Sequence, residues 1–166
     1  MIQLDAALNI LDDKLADRHL PSEDVPVEDA CGRILAEPAV SRVDLPPFRK
    51  SAMDGYAVMD QDKHDTYRVL EQIPAGKTPS VPLEPGSCSM VMTGAPVPEN
   101  TGRVIIFEDT DRAIDVVTVN HHDERLNVCE QGEDVRIGQE ILSKGKVIGA
   151  REIANLISCG ISKVTV

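Results

Sequence analysis

A chain of 166 residues with 42% apolar content can bury one ordinary core or two small ones. Aromatic residues make up only 2% (Phe48, Tyr56, Tyr67, Phe107), so the core is built from Val, Ile, Leu, Met and Ala, and a base-stacking surface for single-stranded nucleic acid is not expected. The 28 acidic against 17 basic residues give a formal charge of -11, which repels nucleic-acid backbones and anionic membrane surfaces; a small anionic ligand would need a local basic patch or a cradle of backbone N–H groups.

Residues 3 to 15 place Ala7, Leu8, Leu11 and Leu15 at helical spacing, which predicts an amphipathic helix. Pro21 and Pro26 interrupt it, "VEDACGRIL" can add a helical turn, and the prolines at 38, 46 and 47 make residues 38 to 48 an extended connector. From there to about residue 145 the chain changes to short apolar runs between turn clusters. "YRVLEQI", "SCSMVM", "RVIIF" and "DVVTV" read as strands. "EILSKGKVIG" reads as a hairpin around Lys144 and Gly145, and "AREIANLISCG" as a helix with Ile153, Leu156 and Ile157 on one face and Gly160 at its C′ position. "ISKVTV" is a last strand.

This order predicts an α+β, mostly β fold of elongated two-lobe architecture. A β-rich domain over residues 47–137 is inserted into a small α/β domain made from both chain ends, 1–46 and 138–166. The N-terminal segment is expected to pack with the C-terminal helix and strand. No basic start followed by a long apolar stretch opens the chain, and nowhere do about 18 apolar residues run together, so a cytoplasmic protein is expected. Cys31, Cys88, Cys129 and Cys159 are scattered without a C-x-x-C pair and are read as reduced, mostly structural thiols.

Three stretches can carry chemistry. In "SAMDGYAV" (51 to 58), Asp54-Gly55 is a hairpin signal, yet it also sets one carboxylate in a small apolar run. "MTGAPVP" (92 to 98) is either a rigid strand exit or a loop that aims the Thr93 hydroxyl and successive N–H groups at an anion. In "QGEDV" (131 to 135), Glu133 and Asp134 are either a solvated surface or, converging with carboxylates from other loops, a hard oxygen site for Mg²⁺. Arg42, Arg49 and Lys50 can receive an oxyanion or form a solvated basic face, and His121-His122 reads as a polar loop. No phosphate loop, dinucleotide fingerprint or Ser-His-Asp set is present.

These stretches in this order resemble the N-terminal region, the first two domains, of the molybdopterin molybdenumtransferase family, of the MoeA and gephyrin E-domain type. The matching text is "DLPPFRKSAMDGYAV" (44 to 58), "MTGAPVPENTGRVIIFEDT" (92 to 110), and "GEDV", "GQEIL", "KGKVIG" and "LISCGISKVTV" between 132 and 166. The resemblance implies a role in molybdenum cofactor biosynthesis, with molybdate placed on adenylylated molybdopterin, release of AMP and Mg²⁺ as divalent cation. It implies Asp54, Thr93 and Asp134 as catalytic positions, Ser51, Gly94, Ala95, Arg49 and Lys50 as substrate or anion contacts, and Asp54, Glu133 and Asp134 as metal ligands. It further implies a homodimer, with the site completed by a pterin-binding domain.

Family members continue past a segment like "GISKVTV" into that larger domain, whereas this sequence ends at Val166. The chain is therefore expected to be a half-site, inactive alone and needing a separate pterin-binding domain or subunit; the alternative is a non-catalytic dimerisation or binding module. Arg49-Lys50 stand where the family typically has Asp-Asn, and Cys129 where it has Arg, so anion placement near Asp54 is expected to differ.

Overall fold

The computed structural model describes residues 2–16, 18, 20–122 and 124–166; Met1, Asp17, His19 and Asp123 lie outside that description. In chain order the elements are α1 (Leu4–Leu15), β1 (Asp24–Pro26), β2 (Ala39–Val40), β3 (Lys50–Ser51), β4 (Gly55–Met59), β5 (Thr66–Ile73), β6 (Ser87–Val91), β7 (Thr101–Ile106), β8 (Thr110–Ala113), β9 (Val116–Val119), β10 (Val128–Cys129), β11 (Glu140–Leu142), α2 (Ala150–Ser158) and β12 (Lys163–Thr165). The fold is α+β and mostly β, as the sequence predicts. Among the described residues no helix is long and apolar enough to cross a membrane.

The chain divides into two compact units, Met1–Ala39 with Glu140–Val166, and Val40–Gln139. Residues 40 to 46 group with the central unit because their backbone is tied there: Ser41 N–H donates to the Gln139 carbonyl (2.8 Å) and Leu45 N–H to the Val135 carbonyl (2.7 Å).

In the unit made from both ends, β1 and β12 pair antiparallel with Val25 opposite Val164, and Glu23 and Val166 exchange N–H to carbonyl bonds of 2.9 Å just beyond them. Val27, Ala30, Leu35, Ile148 and Leu156 are buried there. Helix α2 ends as predicted: Gly160 takes a φ of +75°, its N–H reaches the Ile157 carbonyl at 3.0 Å, and Ile161 N–H reaches the Leu156 carbonyl at 2.9 Å. That double closure satisfies carbonyls the helix end would orphan.

The N-terminal segment packs with the C-terminal helix and strand, as expected, but through residues 24 to 35: none of the residues of α1 is buried, and Leu4, Leu8, Leu11 and Leu15 remain exposed. Two expectations are corrected here. Ile157 faces solvent rather than joining Leu156. The turn at Lys144-Gly145 exists, but its return strand pairs elsewhere: Leu35 N–H donates to Lys146 O (2.9 Å) and Ile148 N–H to Arg33 O (2.9 Å), so the segment closes on residues 33 to 35 and forms no local hairpin.

The central unit holds a six-stranded sheet in the order β7-β4-β6-β5-β9-β8, in which only β5 and β6 run parallel. Alternation along β4 sends Tyr56 and Val58 into one cluster with Tyr67, Cys88, Ile105 and Val117, and Ala57 into the other with Ile73, Val91, Ala95 and Val104. Gly55 lets β4 start against β7: a Cβ there would lie 2.1 Å from the Ile105 carbonyl oxygen. Gly55→Ala is therefore expected to cost about 2–3 kcal/mol in denaturant unfolding, as an overpacked site with backbone on the far side.

Between β8 and β9, Ile114 holds a φ of +55° while its side chain is 86% exposed. A β-branched residue is strained in that region and here gains no burial in return. Ile114→Gly is expected to raise the unfolding free energy by about 1 kcal/mol, read as a higher Tm.

Candidate functional site

Residues 49 to 54 form a strip bounded by two other segments. On one side lies the loop after β6: Ser51 N–H donates to the Ala95 carbonyl (2.9 Å), Gly94 N–H to the Ser51 carbonyl (2.8 Å) and Val97 N–H to the Arg49 carbonyl (3.2 Å). On the other lies β10, where Ser51 pairs with Val128 and Lys50 with Cys129. The Ser51 hydroxyl donates to the Met53 carbonyl, which turns the chain and projects Asp54 outward at the start of β4.

Asp54 is not the corner of a hairpin. β3 pairs with β10 and β4 with β6 and β7, so the two strands on either side of Asp54 never pair with each other. Its Oδ1 instead accepts two bonds from Thr93, one from the backbone N–H (2.6 Å) and one from the hydroxyl (2.8 Å). Those bonds, the backbone one first, hold the exposed carboxyl below its ordinary value. Oδ1 is committed, while Oδ2 carries no hydrogen bond from a described residue.

The loop after β6 is rigid, but not an N–H cradle. The N–H groups of Thr93, Gly94, Ala95 and Val97 all donate internally, Ala95 is fully buried, and the Thr93 hydroxyl proton points at Asp54. Ser51 is 1% exposed with its hydroxyl turned inward. The N–H groups of Gly94 and Ala95 and the hydroxyl of Ser51 are thus committed within the chain, and Thr93 donates to Asp54.

Arg49 is likewise engaged: its Nε donates to both oxygens of Glu130 (2.8 and 3.1 Å), Nη1 to the Glu99 carbonyl (3.0 Å) and Nη2 to the Thr101 carbonyl (3.0 Å). Lys50 is the cation of the strip that faces Cys129. Burial and then the Glu133 carboxylate raise the Cys129 thiol above its ordinary value, with Lys50 opposing, so the thiol is protonated near neutral pH.

Glu133 accepts the Glu130 N–H (2.7 Å), and the exposed Asp134 is fixed through its backbone, N–H to the Leu45 carbonyl (2.9 Å). Among the described residues no three His, Cys, Asp or Glu side chains are gathered as a metal cluster, and only Thr93 and burial set the Asp54 titration. The structure thus places Asp54 with Thr93, and Glu133 with Cys129, as two neighbourhoods along one strip.

Sequence reasoning missed Asp44 and Glu130. Asp44 accepts the Ile137 N–H (2.8 Å) and the Gln131 amide (2.9 Å), and Glu130 anchors Arg49; together they hold the turn that bears Glu133 and Asp134. Their partners lie 81 to 93 residues away in sequence, beyond the reach of any local signal.

The sequence and the fold both match known proteins. The family model described as the MoeA N-terminal region (domain I and II) matches residues 2–160, and the chain belongs to that family. It is 31% identical over 148 residues to a molybdopterin molybdenumtransferase of Staphylococcus epidermidis, covering 84% of this chain and 35% of the relative. It is 31% identical over 150 residues to molybdopterin molybdenumtransferase 2 of Mycobacterium tuberculosis, covering 86% and 37%. The crystal structure of the molybdopterin biosynthesis moeA protein from Pyrococcus horikoshii OT3 superposes with a TM-score of 0.91 at 32% identity, covering all of this chain and 46% of that one. The chain spans less than half the length of these relatives.

Because the folded Asp54 is harder to protonate than the unfolded one, its pairing adds stability above the ordinary carboxylate pKa and loses it as pH falls through the lower folded value. Thr93→Val removes one of the two bonds, so the Asp54 titration midpoint is expected to rise toward 3.8 in a side-chain carboxyl NMR titration.

Proposed function

We propose that this chain serves molybdenum cofactor biosynthesis as the N-terminal half-site of a molybdenum insertase, which places molybdate on adenylylated molybdopterin with release of AMP. The observation that carries the reading is the Asp54–Thr93 pair: an exposed carboxylate held ionised by two donors on one oxygen, with the other oxygen taking no hydrogen bond from a described residue. Membership of a family whose relatives are named for molybdopterin chemistry supports it.

The donor set suits a hydrated divalent cation. Mg²⁺ commonly takes one or two protein carboxylates and keeps its waters. Asp54, through Oδ2, would hold it and water would fill the other positions, since the exposed Asp134 and Glu133 belong to the second neighbourhood of the strip and no all-protein cage is formed among the described residues. When bound, such a cation offsets the charge of phosphate and molybdate oxygens. The work of the chain itself is to keep Asp54 charged through Thr93, to fix the loop after β6 as an unyielding wall, and to present the Lys50 ammonium as a local positive charge in an acidic protein. The reaction would be completed by a pterin-binding domain, in a homodimer or from a separate chain.

A second reading, a non-catalytic dimerisation or binding module, is favoured by the uncovered apolar face of α1 and by the internally committed N–H groups of the loop after β6. One assay separates the two. The chain is mixed with a family pterin-binding domain, Mg²⁺ and adenylylated molybdopterin, and AMP release is followed on adding molybdate. The half-site reading predicts release that falls about tenfold or more with Asp54→Ala; release that is absent, or indifferent to Asp54→Ala, supports the module instead.

A further inference from the structure

Resting on the reading that Asp54 and Thr93 form a working site, we propose that Arg49 is its positioning residue, a clamp that holds the three chain segments around the site in register, and not a contact for the anionic substrate. The guanidinium spans segments that are distant in sequence. It joins the strip at 49, the segment at 99–101 that opens β7, and the turn at Glu130, with three donor nitrogens making four bonds of 2.8 to 3.1 Å. A planar fork with fixed donor directions can satisfy a carboxylate and two carbonyls at once; a lysine ammonium on a flexible stem cannot reach this combination.

The clamp bears on Asp54 through the backbone. The Arg49 carbonyl accepts the Val97 N–H, and four residues along that same loop Thr93 supplies both donors to Asp54. Segment 99–101 continues that loop, so the side chain and the carbonyl of Arg49 pin the same stretch at two places. Glu130 in turn offers its N–H to Glu133, which extends the grip to the turn carrying Asp134. The Arg49 side chain is 31% exposed and Glu130 59% exposed, so as an isolated ion pair the contact would add little stability; its value lies in register.

The test is amide hydrogen exchange at Thr93 in the isolated chain, in wild type, Arg49→Lys and Glu130→Ala. Arg49→Lys keeps the charge and removes the fork. A clamp predicts that the Thr93 amide exchanges several-fold faster in Arg49→Lys, because its bond to Asp54 loosens, with a smaller rise in Glu130→Ala, while the Val104 amide keeps its wild-type rate and the circular dichroism spectrum is unchanged. A Thr93 amide in Arg49→Lys that exchanges at the wild-type rate overturns the proposal; should that variant fail to fold, an unchanged Thr93 rate in Glu130→Ala overturns it equally. The readout needs neither pterin nor molybdate, so a negative result here is distinguishable from failure of the half-site reading, which the AMP assay reports.

Discussion

The site depends on one interaction, the double donation of Thr93 to a single oxygen of Asp54. A surface carboxylate ordinarily titrates near its free value and turns freely; two donors on Oδ1 hold this one charged and fix its orientation. For the bonds to form, the strip at 49–54 and the loop after β6 must lie side by side without slipping. The alternating bonds from Ser51, Gly94 and Val97 hold them there, and the fit of Gly55 against Ile105 sets where β4 begins.

The proposed half-site would set an acidic protein to work on anions, and the strip shows how its charges are distributed. Arg49 is paired with Glu130, Glu133 sits against Cys129, and Lys50 faces the same thiol. The local field is then set by few groups: the ionised Asp54, the exposed Asp134 and the Lys50 ammonium.

Much of this was legible in the sequence where the signal is local. Turn clusters and β-rich runs marked β5, β6, β7 and β9, and Gly160 marked the end of α2 through its left-handed backbone. Asp54, Thr93 and Asp134 stood out through the resemblance and their loop setting. What failed was what pairing decides. Asp54-Gly55 carries a hairpin signal, yet β4 finds its partners in β6 and β7; "EILSKGKVIG" looks self-complementary, yet residues 33 to 35 take its return strand. For the loop after β6 the sequence leaves open a rigid strand exit or a cradle of N–H donors, because it shows glycine and proline but not the carbonyls opposite them. Arg49 is open between an oxyanion receptor and a solvated basic residue for the same reason: Glu130 is 81 residues away. The apolar stripe of α1 is real, but periodicity does not say what covers it.

The most direct measurement is amide hydrogen exchange at Thr93. This residue is exposed and its N–H donates to the Asp54 carboxylate. The account predicts that Thr93 exchanges far more slowly than an unstructured amide, and that this protection is lost in Asp54→Ala while the amides of Gly94 and Ala95 stay protected by their own carbonyl partners. A Thr93 amide that exchanges freely in the wild-type chain would contradict it.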